Sequence, residues 1–180
     1  MLRLQQHYEQ VVRPDMLYKY QYTNSHQIPS IQKVVLNMSI KDVVQDKKQI
    51  LPGLLILEYI TGQKAMAVKA KKSISNFKLR QGVPIGIKVT LRNKMLYRFL
   101  ELLIFVALPR MRDLKPIKIS NNCHTGHVSF GLRDLLIFPQ IESEYDRFSK
   151  VYGLNITIVT NAKTIQESKT LLTSFQLPIV

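Results

Sequence analysis

Ile85-Gly86-Ile87-Lys88-Val89-Thr90-Leu91-Arg92 alternates apolar and polar side chains almost residue by residue. A strand sends successive side chains to opposite faces, so Ile85, Ile87, Val89 and Leu91 form one face. Lys88, Thr90 and Arg92 form the other. One face is built for a core, and the opposite face carries two cations and a hydroxyl. The stretch is a half-buried strand of an antiparallel sheet, with Pro84 and Gly86 marking its entrance.

Working outward from this strand gives the rest of the plan. Gln63–Ala70 reads as its upstream partner, with Met66 and Val68 inward and Gln63, Ala65 and Lys69 outward. A polar, basic loop, Lys71–Gly82, joins the two. Ile31–Ile40 is a further strand rich in β-branched residues. Its alternation separates Val34, Leu36, Met38 and Ile40 from Lys33, Val35, Asn37 and Ser39. Asp46–Thr61 reads as a helix containing Leu51, Leu54, Leu55, Leu57 and Ile60. An interior Pro costs about 3 kcal/mol, so the regular helix is expected to begin near Pro52, with Pro52 in its first turn. Gly62 is the stop. Lys94–Leu108 is a thoroughly apolar helix ended by Pro109. Ile117–Ile119 and Val128–Leu132 read as short strands around a turn-rich Asn121–His127. Leu154–Thr160 is a strand. Thr164-x-x-Glu167 is a capping box that opens a helix through Leu171, Leu172 and Phe175.

At the N-terminus, Leu2–Tyr20 reads as a helix with Leu4, Tyr8, Val11 and Val12 on one side, kinked or restarted at Arg13-Pro14-Asp15. Thr23–Pro29 is a polar connection. Strand-helix-strand-strand-helix-strand is the ferredoxin-like, or split βαβ, arrangement. The expected fold is therefore α+β: an antiparallel sheet with helices on one face and an open opposite face. Residues 1–30 form a helical extension of a single domain, 31–180 its core and 71–82 a basic loop.

Composition narrows the function. Apolar residues make up 46% of the 180, enough for a core, and charged residues only 21%, too few for a disordered chain. The net charge is +14 and the pI about 10. From Tyr59 to Leu100 there are ten Lys or Arg and no acid, whereas the remaining 16 cations are offset by all 12 acids. A surface kept basic for solubility mixes its signs. A one-signed stretch points to a polyanionic partner. Cys123 is the one cysteine, so no intrachain disulfide forms. No run reaches the roughly 20 apolar residues of a membrane helix. The first residues lack a signal-peptide pattern, and a cleaved transit peptide is not expected.

The outward residues of the three strands are polar, short or basic: Lys33, Asn37 and Ser39; Gln63 and Lys69; Lys88, Thr90 and Arg92. A sheet that grips single-stranded RNA stacks bases on aromatics, and none falls here. Amides and hydroxyls flanked by cations suit the shallow minor groove of folded RNA. An ordinary solvated sheet face is the competing reading. The loop is a second candidate: Lys71, Lys72, Lys78 and Arg80 surround Ser73, Ser75, Asn76 and Phe77. It is expected to be poorly ordered by itself, with Phe77 tucked beneath it more readily than stacked on a base.

Cys123-His124-x-x-His127 has metal-ligand spacing but lacks a second pair for a closed site, so no metal is expected. Gly82-x-Pro84-x-Gly86 lacks the lysine ending of a phosphate loop and leads into a strand. No Ser/His/Asp set or carboxylate pair has recognisable spacing; Glu142, Glu144 and Asp146 cluster in a segment that reads as a surface turn. The chain is therefore expected to be neither an enzyme nor a binder of a cofactor or small-molecule substrate. A splicing or maturation factor that binds structured RNA is the alternative these residues leave open.

Eight stretches, in order, carry a resemblance over nearly the whole chain: Val34-Val-Leu-Asn-Met38, Thr61-Gly-Gln-Lys64, Lys69-Ala-Lys-Lys-Ser73, Phe77-Lys-Leu-Arg-Gln-Gly82, Pro84-Ile-Gly-Ile-Lys-Val-Thr-Leu-Arg92, Pro109-Arg-Met-Arg-Asp113, Phe138-Pro-Gln-Ile141 and Gly153-Leu-Asn-Ile-Thr-Ile158. Together they resemble the bacterial-type large-subunit ribosomal protein five. The resemblance implies a non-catalytic protein of the central protuberance whose sheet face binds 5S rRNA, with Asn37, Gln63, Thr90 and Arg92 at matching positions. It implies that the loop 71–82 approaches peptidyl-site tRNA. It also implies that the region from Arg110 through Arg112 and Asp113 to Glu144 faces a protein of the small-subunit head as an intersubunit bridge. Large-subunit rRNA and neighbouring protuberance proteins are further implied partners. The chain departs from the family at Ser39-Ile40, where glycines are usual. Its richness in Ile, Leu, Lys, Asn and Tyr points to an AT-rich organelle genome, hence a mitochondrial ribosome, with a plastid or a bacterial cytoplasm as the other settings.

Overall fold

The alternation in Ile31–Ser39 makes it β1: Val34, Leu36 and Met38, with Ile40 just beyond, are buried, whereas Asn37 and Ser39 are exposed. The computed structural model describes residues 2–111, 116–117, 126–144, 147–148 and 152–179. Among them, β1 belongs to a five-stranded sheet with β2 (Met66–Lys69), β3 (Pro84–Leu91), β4 (Val128–Leu132) and β5 (Leu154–Thr160), in the order β2-β3-β1-β5-β4. Setting β4 aside, β2-β3-β1-β5 is the split βαβ order that the sequence predicts. The expected α+β class holds, and β4 is an added edge strand. The predicted strand Ile117–Ile119 lies mostly outside the described residues; Ile117 itself forms a single parallel bridge with Ile179.

By contacts the chain divides into two compact units, one formed by Val35–Thr90 with Gly131–Ile156, the other by Met1–Val34, Leu91–Phe130 and Thr157–Val180. In the first, α3 spans Ile50–Thr61 and is preceded by a tight turn at Lys47–Gln49 whose N-cap, Asp46, accepts from Lys48 N–H. The regular helix thus begins near Pro52 as expected, with Pro52 in its opening turn. Gly62, at φ 68°, ends it by donating to the Glu58 carbonyl. A Cβ on Gly53 would fall 2.5 Å from Ile40 Cδ1 and 2.6 Å from Ile87 Cδ1. The helix therefore approaches the core face of β1 and β3 at this glycine, which accounts for Gly53.

In the second unit the N-terminal helix runs as α1 (Arg3–His7), a π-turn (Tyr8–Val12) and α2 (Arg13–Tyr20). A second π-turn, Leu103–Ala107, joins α4 (Asn93–Leu102) to α5 (Leu108–Arg110). In both cases a proline follows the widened turn by two residues, Pro14 and Pro109. Proline removes one N–H and crowds the carbonyl four residues back, and a π-turn relieves both. Pro109 was expected to end its helix; the helix instead passes through it to Arg110. Pro14 likewise leaves the helix continuous. Leu4, Val12 and Met16 are the buried line of the N-terminal helix, and Val11, expected among them, is 54% exposed because the wider turn rotates it outward.

Phe175, fully buried, closes this unit's core, with Tyr8 stacked at 6.0 Å and Tyr97 tilted at 6.5 Å between ring centroids. Burial pushes the Tyr97 phenol up to about 12 and also raises Tyr8. The helix Ile165–Ser174, here α7 (α6 being the short Pro139–Glu142), opens as predicted: Thr164 Oγ1 accepts from Glu167 N–H at 3.2 Å, and Glu167 reaches back to Lys163 N–H at 3.0 Å. No helix among the described residues is long and apolar enough to cross a membrane.

Candidate nucleic-acid interface

The register of β2 on β3 sets the open face in the first unit. Met66 pairs with Lys88, Ala67 with Ile87 and Val68 with Gly86. Directly opposed residues of two strands share a face. Ile87 is buried and Lys88 exposed, so Met66 and Val68 stand with Lys88 on the open side. This corrects the expected inward placement of Met66 and Val68. The physical cause is that β2 is a four-residue edge strand with every residue exposed. Its own burial cannot choose a parity, so the pairing chooses it. Lys69, opposite Pro84, sits at a register break and is exposed.

Gln63 was expected inside the strand and lies in the turn before it. Its backbone N–H donates to Thr61 Oγ1 at 3.2 Å, and Thr61 Oγ1 in turn donates to the Leu57 carbonyl at 2.7 Å. The turn carries the Gln63 amide to the carbonyl of Thr90 at 3.4 Å. Asn37 and Lys88 are exposed and Thr90 half-buried on the same face. Their side chains make no hydrogen bond or ion pair among the described residues. Donors and acceptors of β1 and β3 are thus held on this face with capacity to spare among the described residues.

The basic loop was expected to lack order of its own. It is a closed hairpin: Ile74 and Leu79 exchange both backbone hydrogen bonds (2.9 and 3.1 Å), and Ala70 N–H donates to the Val83 carbonyl. Ser73 Oγ accepts from Gln81 N–H at 2.9 Å. Lys78 (φ 52°) and Gly82 (φ 85°) make its turns in the left-handed region. The hairpin turns Lys71, Lys72, Lys78 and Arg80 to solvent, and Phe77, expected to tuck under, is 71% exposed.

In the second unit Lys33 is half-buried on β1, and Arg92 is exposed as the extended residue before α4. Ser129 and Thr157 add a hydroxyl pair at 3.0 Å across β4 and β5. Asn155, in the first unit, is exposed on β5. Sequence reasoning left out these last three, although the alternation of Leu154, Ile156 and Ile158 with Asn155 and Thr157 carried the signal. Arg110 is exposed at the end of α5; Arg112, Asp113, Cys123, His124 and Asp146 lie outside the described residues. Among the described residues no group of three or more His, Cys, Asp or Glu is placed to hold a metal.

These features define a class, an α+β protein with a cationic sheet face and hairpin of the kind that meets folded RNA. Residues 24–80 match the family model for ribosomal protein L5, and residues 84–179 match the model for the C-terminus of that same ribosomal family. The chain is 54% identical over 179 residues to large ribosomal subunit protein uL5m of Reclinomonas americana, covering 99% of this chain and 98% of that one. It is 45% identical to uL5 of Geobacter sulfurreducens and 43% identical to uL5 of Macrococcus caseolyticus, each over 178 residues with 99% and 98% of the two chains covered. The chain belongs to the ribosomal protein L5 family. It is a structural constituent of the large ribosomal subunit and not an enzyme.

Proposed function

We propose that the chain anchors 5S rRNA in the central protuberance through its open sheet face, while the hairpin 71–82 approaches peptidyl-site tRNA. One observation carries this reading: in a stretch with no acid from residue 59 to 100, exposed cations of β3 and the hairpin accompany the Asn37 amide and the Thr90 hydroxyl, which make no hydrogen bond among the described residues. Cations meet phosphates without regard to sequence, and Asn37, Gln63 and Thr90 supply the polar contacts that a minor groove reads. Lys33, Lys69, Lys88 and Arg92 are the phosphate-facing set. Large-subunit rRNA and adjacent protuberance proteins complete the surroundings, and the region from Arg110 through Arg112 and Asp113 to Glu144 contacts a small-subunit head protein. The setting is an organellar ribosome, that of the mitochondrial matrix, in keeping with 54% identity to uL5m against 42–45% to the bacterial uL5 chains.

Thr90→Val keeps the shape of the side chain and removes its hydroxyl. It is expected to weaken binding to a 5S rRNA transcript by about 1–3 kcal/mol, the cost of an unpaired polar partner. Unchanged affinity would remove the sheet face from the contact. Lys72→Ala should leave affinity for isolated 5S rRNA within about twofold, the loss of one solvent-exposed phosphate contact at most. A large loss would assign the hairpin to 5S rRNA.

A further inference from the structure

The outer side of α3 is apolar where a surface helix is normally polar. Its 12 residues include one charged side chain, Glu58. Gly53, Ile56, Leu57 and Ile60 are buried on the side that meets the sheet. On the opposite side Leu51, Leu55 and Tyr59 follow one another at single turns and are 57%, 48% and 43% exposed. Residues at i, i+4 and i+8 are neighbours along one face of a helix, so the three form a continuous stripe and not scattered surface positions. A helix that is apolar all round is one that is covered on both sides. The stripe is also held in place: α6 packs along α3, and the Tyr59 ring stands edge-on to buried Phe148 at 6.4 Å between centroids.

Charge and area decide what covers it. The net charge of the chain is +14, yet residues 41–61 and 131–144, which contain α3 and α6, hold four cations against six acids, half of all the acids present. Asp46, Asp134 and Glu142 are exposed, and Glu58, one turn from Leu55, is half-buried. A surface of this sign repels polyanionic RNA, and helical RNA offers leucine no apolar partner because its base faces are stacked inside. A second copy of the chain fits poorly, since three side chains fall far short of the roughly 800 Å² per partner that an independent dimer buries. A contact this small suits a neighbour already held beside the chain at high effective concentration. Membership of the large ribosomal subunit supplies such a setting.

We propose that the stripe of Leu51, Leu55 and Tyr59 docks a basic protein of the ribosome, through a segment that sets apolar side chains against the stripe and Lys or Arg toward the surrounding carboxylates. The leucines and the tyrosine supply the contact area, and the acids select a cationic partner and orient it. This unit thus presents two different faces: cations on the open side of the sheet, and apolar side chains among acids on the helix side. The inference rests on membership of the large subunit and is independent of the 5S rRNA reading.

The test uses ribosomes assembled with the full chain carrying a photoreactive benzophenone side chain in place of Leu55. Irradiation should join it to one cationic ribosomal protein, identified by mass spectrometry, at a segment that combines apolar residues with Lys or Arg. The same group in place of Lys88, on the opposite side of the sheet, is the control and should not give that product. The linked segment, made as a peptide, should then bind the full chain. Leu51→Ser with Leu55→Ser should weaken that binding about tenfold or more, as truncation of two anchors does. Both leucines are exposed, so this variant should keep the wild-type thermal midpoint. Added salt should weaken the peptide as well, because carboxylates take part. A crosslink to rRNA alone, to a second copy of this chain, or none above the Lys88 control would overturn the proposal. Unchanged peptide affinity in the double variant would overturn it too.

Discussion

At Gly53 the packing of α3 against β1 and β3 is decided by the absence of one atom. Gly53→Ala would drive a methyl against Ile40 Cδ1 and Ile87 Cδ1, the far ends of buried side chains. We expect a loss of about 1–3 kcal/mol, the usual range for overpacking, read as a lower urea midpoint with an unchanged slope. Tyr97 governs an alkaline effect. Its phenol is held protonated up to about 12 by burial, above the ordinary value of 10.0. Between these values the unfolded chain has lost a proton that the folded chain keeps, so stability falls as pH rises from about 10 toward about 12. Tyr97→Phe should flatten that fall, measured as urea midpoints at about pH 9 and about pH 11. Single residues were readable in sequence where burial was one-sided. Val34, Leu36, Met38 and Lys88 were placed correctly by alternation alone. Met66 and Val68 were not, because an edge strand with one neighbour has no buried face to mark its parity.

Elements were readable when their own chemistry fixed their ends. Thr164-x-x-Glu167 opens α7 at the predicted residue, and Gly62 closes α3. Thr164→Ala should cost about 1 kcal/mol, the typical loss on removing an N-cap, seen in the urea midpoint. The two helices interrupted by proline were harder. Pro14 and Pro109 break an α-helical hydrogen-bond pattern, and nothing local in sequence states that a π-turn will absorb the break two residues earlier. The hairpin 71–82 was misjudged for another reason. Its polarity hid the mutual Ile74–Leu79 hydrogen bonds and the left-handed turns at Lys78 and Gly82. Gly82 has open space around it at φ 85°, so Gly82→Ala strains backbone alone. We expect a cost of about 1–2 kcal/mol confined to the hairpin. Faster amide exchange at Ile74 and Leu79, with the exchange of β1 unaffected, would register it.

For the whole molecule, the charge distribution in sequence pointed to a polyanionic partner, and the structure adds how that charge is presented. Ten cations without an acid are distributed over a hairpin, a strand face and a helix entrance, while α3 and the core face of the sheet supply rigidity. The split βαβ order followed from element order, and Val128–Leu132 reads as a strand with the bounds of β4; its place at the sheet edge beside β5 was not legible, since short strands among turns leave only a weak periodic signal. Lys88→Ala should lower the slope of log K against log salt by about 1, with little change in preference among RNAs, as removal of one phosphate contact does. The most direct test of the central claim is a salt-dependent titration of the intact chain against 5S rRNA from the same source, with a structured RNA of equal length as competitor. A steep salt slope is expected for both RNAs, with a preference for 5S rRNA that survives at physiological salt. Equal affinity for the two RNAs at every salt concentration would contradict it.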